Sequence, residues 1–298
     1  MITVNLYLGE ALAILCAIIW ALAVIFFKKS GETIHPLALN LFKNLLALIF
    51  FIPTIYIFKE ELFYPASRNI YLLLILSGAL GIGIGDTLYF QSLNLLGAGL
   101  SSIVVCLYSP FMIILAILFL RERLTGYQLF GAILIITAIL VASLELKKKI
   151  VIRRQILIGI MYGVIGTLAT ATSVVTIKPF LNDLPLIWLT SIRLMGGIIV
   201  LTMILIFNPA RTVIIQSLRL TPNWEYPITG AFLGAYLAMA IWLGGMKYTQ
   251  ISIAAALNQT STIFIYILAG LILKETVNWR RFLGIIVAFS GVMFVFFG

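Results

Sequence analysis

Ser77-Gly78-Ala79 in the first half of the chain returns as Thr229-Gly230-Ala231 in the second. The same register sets Lys28 against Lys178, Leu120-Arg121-Glu122 against Leu273-Lys274-Glu275, and Gly131 against Gly284. The offset grows only from 150 to 153 residues, so one unit is written twice with small loop insertions. Each copy holds five apolar runs of about 20 residues, the length that crosses a bilayer. An odd number of spans forces the second copy into the membrane upside down relative to the first, which is the architecture of a carrier. The sequence therefore predicts an all-α polytopic membrane protein whose ten transmembrane helices form two inverted five-helix repeats. The first repeat covers 1–146, a basic linker 147–155, and the second repeat 156–298.

Composition supports this reading. The 298 residues are 62% hydrophobic and 10% charged, against about 25% charged in soluble domains. No basic stretch precedes a short apolar core with a small-residue cleavage site, so the first apolar run reads as a span rather than a cleaved signal. The net charge of +10 is scattered through short loops, apart from Lys147–Lys149 with Arg153 and Arg154. That cluster suits anionic lipid headgroups and not nucleic acid. Cys16 and Cys106 lie inside apolar runs and read as free, buried thiols. The single histidine, His35, precedes a proline, which leaves no His-based metal cluster and no Ser/His pair. No cofactor is expected, and neither is an enzymatic activity.

Spans are expected near 6–27, 37–58, 70–91, 98–120, 126–146, 156–177, 186–207, 227–246, 252–273 and 280–297. The breaks carry helix-stop chemistry, as in Lys28-Lys29-Ser30-Gly31 and Lys274-Glu275-Thr276, while Pro36 and Pro185 suit the first turn of a span. The linker side holds twelve Lys and Arg and the terminal side six, which places the linker in the cytoplasm of an inner-membrane protein. Without the five linker charges the counts are seven and six, as inverted copies of one loop pattern require.

An ionised side chain inside a span costs a few kcal/mol, so each needs a reason. Lys43 and Arg193 follow Pro36 and Pro185 by seven and eight residues and are equivalent positions of the two copies. Two readings stand for them. Each snorkels to its nearer headgroup layer, or the two line a central cavity and meet an anionic group or an acid. Asp86 closes the run Gly81-Ile-Gly-Ile-Gly85, whose glycines allow close helix approach or weaken the helix. This carboxylate is either solvated at the interface or exchanges protons as the coupling group. Gly-x-Gly-Asp is also a signature of intramembrane aspartyl proteases, but that chemistry needs a second aspartate in a span. The other aspartate, Asp183, lies in a loop. Glu122 and Glu275 end spans four and nine and read as structural, pairing with Arg121, Arg123 or Lys274 or bonding amides at the start of the next helix.

Uncharged candidates for ligand contact are Trp20, Tyr89, Tyr108, Tyr236, Trp242 and Tyr266. With them stand Asn40, Ser109, Thr170, Thr172, Asn258, Gln259 and Thr260. Aromatic faces with a few amides and hydroxyls suit small amphipathic metabolites. Interhelical hydrogen bonding explains the same residues one at a time. Pro110 and Asn258-Gln259-Thr260 mark irregular places in spans four and nine, and Pro110 frees the carbonyl of Cys106.

Gly85-Asp-Thr-Leu-Tyr-Phe-Gln-Ser-Leu-Asn94, then Ser109-Pro110, then Leu118-Phe-Leu-Arg-Glu122 resembles the repeat unit of EamA-like carriers of the drug/metabolite transporter superfamily. Asn258-Gln-Thr-Ser-Thr-Ile-Phe264 and Leu271-Ile-Leu-Lys-Glu275 repeat it. The resemblance implies two inverted repeats around a central cavity that moves small metabolites outward, often amino acids or related compounds. Such carriers often have Arg early in spans two and seven; Arg193 fits and Lys43 departs. The second copy has Thr262-Ile263 where the first has Ser-Pro. The expected partners are a small-molecule substrate and membrane lipids, in a monomer or homodimer, with proton coupling through Asp86 and a purely facilitative cycle both open. Two rivals stand beside this reading. One is a broad-specificity proton-coupled drug exporter, a class that relies on a membrane-embedded glutamate in the first span, for which Glu10 lies too shallow; the other is a non-transporting membrane scaffold or lipid-modifying enzyme.

Overall fold

The computed structural model describes residues 8–120, 125–143, 150–181, 183–248, 257–275 and 279–297. All regular elements among them are helical. In the first copy these are α1 (Leu8–Ser30), α2 (Pro36–Ile57), α3 (Arg68–Leu96), α4 (Ala98–Val105), α5 (Tyr108–Leu120) and α6 (Gly126–Ser143). In the second they are α7 (Ile150–Ile177), α8 (Leu186–Phe207), α9 (Arg211–Arg219), α10 (225–248), α11 (Ser261–Ile272) and α12 (Trp279–Phe297). Five described helices are long and apolar enough to cross a membrane: Leu8–Ser30, Pro36–Ile57, Arg68–Leu96, Arg154–Phe180 and Leu186–Phe207. The other expected crossings are shorter as described or are split. Helix α9 was not expected. Two arginines in nine residues make it too short and too polar for a span, and it lies between α8 and α10 as a surface element.

Both long glycine-containing helices change their winding at the same repeat position. Helix α3 passes through a π segment at Ala79–Gly85, and α10 through one at Ala231–Ala238. Beyond Gly78 and beyond Gly230 the chain stays helical but carries an extra residue in its turn. The glycines also bring helices together. A Cβ on Gly78 would stand 1.9 Å from the carbonyl oxygen of Arg193 in α8, so α3 and α8 touch backbone to backbone.

Breaks recur in the same symmetric way. Between α4 and α5 the chain turns at Cys106-Leu107, and the second copy turns at Gln259-Thr260. In the first break Pro110 lacks an amide hydrogen. The Cys106 carbonyl is not left free, as the sequence suggested, because the Ser109 amide donates to it at 3.3 Å. In the second break the amides of Thr262 and Ile263 donate to the carbonyls of Gln259 and Thr260 at 3.1 and 3.0 Å. A proline is thus not required for the break. The two copies meet here, with Cys106 Sγ 3.6 Å from Thr262 Oγ1.

Two glutamates cap helices across the repeat boundary. Lys59 and Lys274 take left-handed backbone at φ 57° and 53°, ending α2 and α11. The next residue then reaches over: Glu60 Oε2 accepts from the Trp188 amide at 2.8 Å in the first turn of α8. Glu275 accepts from the amides of Ala98 and Gly99 at 2.7 and 3.1 Å in the first turn of α4. The structural role expected of Glu275 holds, but its partner is a helix of the other copy and not the one that follows it. Glu122, Arg121 and Arg123 lie outside the described residues. A buried cluster joins Phe27, Leu39, Phe90 and Leu93 of the first copy to Leu201 and Ile265 of the second. Outward-facing Phe207 and Leu271 are exposed, as lipid-facing side chains must be.

Candidate substrate cavity

The helix breaks and the π segment of α3 border one cavity. Its volume is about 560 Å³, a figure that includes the open mouth. Trp20 comes from α1, Asp86 and Tyr89 from α3, Ser102 and Val105 from α4, and Tyr108 from α5. The second copy adds Gly166, Thr167 and Thr170 from α7, and Ser261, Thr262 and Ile265 from α11. Both repeats therefore build the wall. Trp20 and Tyr89 stack with ring centroids 6.5 Å apart, giving one side a flat aromatic face.

Asp86 is the first residue after the π segment of α3, and the altered winding turns it to the wall. It forms an ion pair with Lys43 of α2. The carboxylate side chain is 26% exposed and the lysine side chain 6%, so the acid faces the cavity and the ammonium is shut behind it. Lys43 Nζ also lies 5.5 Å from the centroid of the Phe90 ring, close enough for a cation–π contact. Neither Lys43 nor Arg193 snorkels to a headgroup layer: they are 5% and 8% exposed within the bundle. Pro36 and Pro185 begin the two helices, and the basic residue two turns later is buried in each.

Asn40 stands one turn before Lys43, fully buried. Its Nδ2 donates toward the carbonyls of Ile82 and Gly83 at 2.8 and 3.0 Å and toward Thr87 Oγ1 at 2.9 Å. A π turn strands backbone carbonyls, and Asn40 gives these two a donor. Its own Oδ1 accepts from Asn44 at 3.0 Å. On the far side, Arg193 Nε donates to Ser77 Oγ at 3.2 Å and Nη2 to Ser173 Oγ at 2.9 Å. The two serines also bond to each other's carbonyls, Ser77 to Ser173 at 3.0 Å and Ser173 to Ser77 at 2.7 Å.

Of the residues named from sequence, Trp20, Asp86, Tyr89, Tyr108 and Thr170 come together on the wall. Asn40, Lys43 and Arg193 stand behind it. Ser109, fully buried, and Asn258 with Gln259 sit at the two breaks; Ser109 Oγ and Asn258 Oδ1 are buried without a hydrogen-bond partner among the described residues. Tyr236 does not reach the cavity. Its ring packs on Phe50, Phe51 and Phe232, and its hydroxyl lies 3.0 Å from Thr54 Oγ1. Trp242 in α10 and Tyr266 in α11 do not line it either. Thr172 is half-buried, off the wall, and donates to Leu168 O. Glu10 is in the first turn of α1, far along the helix from Trp20 and off the wall.

Ser102, Thr167, Ser261 and Thr262 on the wall, and Ser77 and Ser173 around Arg193, were not singled out from sequence. Hydroxyls are common in spans, and only helix packing separates the inward ones. One periodic signal was present: Thr167, Thr170 and Ser173 recur every third residue along one side of α7.

Comparisons with known proteins agree with this architecture. A protein of Archaeoglobus fulgidus (strain ATCC 49558 / DSM 4304 / JCM 9628 / NBRC 100126 / VC-16) named "Uncharacterized transporter" is 21% identical over 282 residues, 95% of each chain. A crystal structure superposes with a TM-score of 0.67 at 14% identity, covering 98% of this chain and 96% of that one, which shows a shared fold. The EamA-like transporter family matches twice, over residues 7–144 and 157–297. Two family units in tandem, spanning nearly the whole sequence, place this multi-pass membrane protein in the EamA-like transporter family.

Proposed function

We propose that the protein exports small metabolites, amino acids or related compounds, across the inner (plasma) membrane by alternating access around the cavity. The observation that carries this reading is a cavity walled by both repeats and bordered by helix breaks at equivalent positions of each. Rocking one repeat against the other would open such a cavity to either face in turn. Asp86, the carboxylate on the wall, is the group that couples flux to protons.

Reconstituted protein is expected to release preloaded metabolites from proteoliposomes faster than empty vesicles do, and an imposed pH gradient is expected to drive accumulation. Asp86→Asn keeps the downhill flux and loses the gradient-driven component. Flux equal to that of empty vesicles across a broad metabolite panel, with folded protein, refutes the carrier reading. A gradient response that survives in D86N refutes the role given to Asp86.

A further inference from the structure

Lys43, Asp86 and Arg193 are the charged side chains placed well away from the helix ends in the described spans, and together they leave one positive charge unbalanced. Lys43 and Asp86 cancel. Arg193 is 8% exposed, and among the described residues no carboxylate stands within ion-pair distance of it. Its bonds to Ser77 and Ser173 spread the charge without neutralising it. A guanidinium held out of water with no counter-ion is costly, and in a membrane interior such a group calls for a partner.

The surroundings of Arg193 are built to hold it in place. A Cβ on Gly81 would stand 2.4 Å from Ser173 Oγ, so the bare α3 backbone lets the serine lie flat under the guanidinium. The hydroxyls of α7 run from the cavity to the arginine. Thr167 and Thr170 line the wall, and Ser173, one step further, holds Nη2. Tyr108, also on the wall, and Asp86 are Coulombic neighbours of Arg193. Among the described residues Asp86 is the one carboxylate on the wall, and it is already held by Lys43 rather than free for a substrate's ammonium group. The unbalanced charge favours an anion.

We propose that Arg193, which stands one layer behind the wall at Ser173, is the residue an anion entering the cavity reaches, and that the transported compound is an organic monocarboxylate whose body lies against Trp20, Tyr89 and Tyr108. This rests on the carrier reading above and narrows its substrate class: the carboxylate is required and an ammonium is not. The planar guanidinium, oriented by two serines, offers its remaining N–H donors to one carboxylate. One carboxylate also removes the single excess charge.

The test is binding to the purified full-length protein in detergent at neutral pH. Acids are paired with their primary amides, such as benzoate with benzamide and isovalerate with isovaleramide, and read by thermal shift and tryptophan fluorescence. At least one acid is expected to bind about tenfold tighter than its amide, the margin of a charge-assisted bond. Arg193→Gln brings that ratio to near one, and Arg193→Lys keeps part of the preference. If R193Q does not fold, R193K carries the test, with a fall of the ratio by about threefold expected from losing the planar fork. No acid favoured over its amide, or a preference that Arg193 substitutions leave intact, overturns the proposal. Flux of the labelled acid in proteoliposomes separates the two readings. Binding without flux sinks the carrier and spares the site, whereas flux of other metabolites without acid preference sinks the site and spares the carrier.

Discussion

At the scale of single residues, the Lys43–Asp86 pair carries the sharpest energetic consequence. Removing one member of a buried pair strands the other charge at a cost of about 3–5 kcal/mol, while removing both is often neutral. Lys43→Met is expected to fall at the low end, about 3 kcal/mol, because Asp86 keeps contact with the cavity. The double variant Lys43→Met/Asp86→Asn is expected to regain most of that loss. Thermal unfolding in detergent checks both, and a double variant no more stable than the single one would show that the two do not act as a pair. The sequence alone identified each of these residues, because a charge inside an apolar run is conspicuous. Their pairing depends on how α2 lies against the π segment of α3, and no one-dimensional pattern reports that. Asn40 shows the same limit. An amide in a span suggested ligand contact, whereas its partners are carbonyls released by an irregular turn.

At the scale of elements, a short recurring device ends α2 and α11: a left-handed lysine, then a glutamate bonded to the first turn of a helix in the other repeat. A carboxylate at a helix N-terminus satisfies unpaired amides and the positive end of the dipole together. Glu275 serves two amides and Glu60 one. Glu275→Ala is expected to cost about 2 kcal/mol and Glu60→Ala about half of that, read as the order of their melting temperatures. Equal losses would mean that the bonds to α4 add nothing. From sequence Glu275 was recognisable as structural because Glu122 holds the equivalent position of the first copy, whereas Glu60 was not singled out. The reach across the repeat boundary was not legible, since spacing along a chain carries no information about which helix end lies opposite. The Gly81–Gly85 run was read as either a close-approach surface or a weak point in the helix. The structure uses it as both.

At the scale of the whole molecule, the two helix breaks face each other, and Cys106 lies beside Thr262 across the junction of the repeats. Thr262→Cys, in a background with Cys16→Ala, is expected to form a disulfide on mild oxidation. That bond would fasten the repeats together and arrest flux, with recovery on adding dithiothreitol. Undiminished flux with the cross-link complete would mean that the repeats do not move against each other at this junction. The duplication, the inverted helical architecture and the family were legible because apolar runs and repeat offsets are properties of the sequence itself. The cavity wall was legible only in part: five of its residues were named from their chemistry, and most of its hydroxyls were not. The winding of α3 hides something more, the direction in which Asp86 points. One residue added to a turn rotates everything beyond it by about 100°, so the π segment resets the angular phase of the second half of the helix. A reader who assumes one continuous α-helix aims Asp86 a quarter-turn or more away from where it points. The extra residue works as a gear tooth that sets the direction of the carboxylate, and the second copy carries its own tooth at Ala231–Ala238.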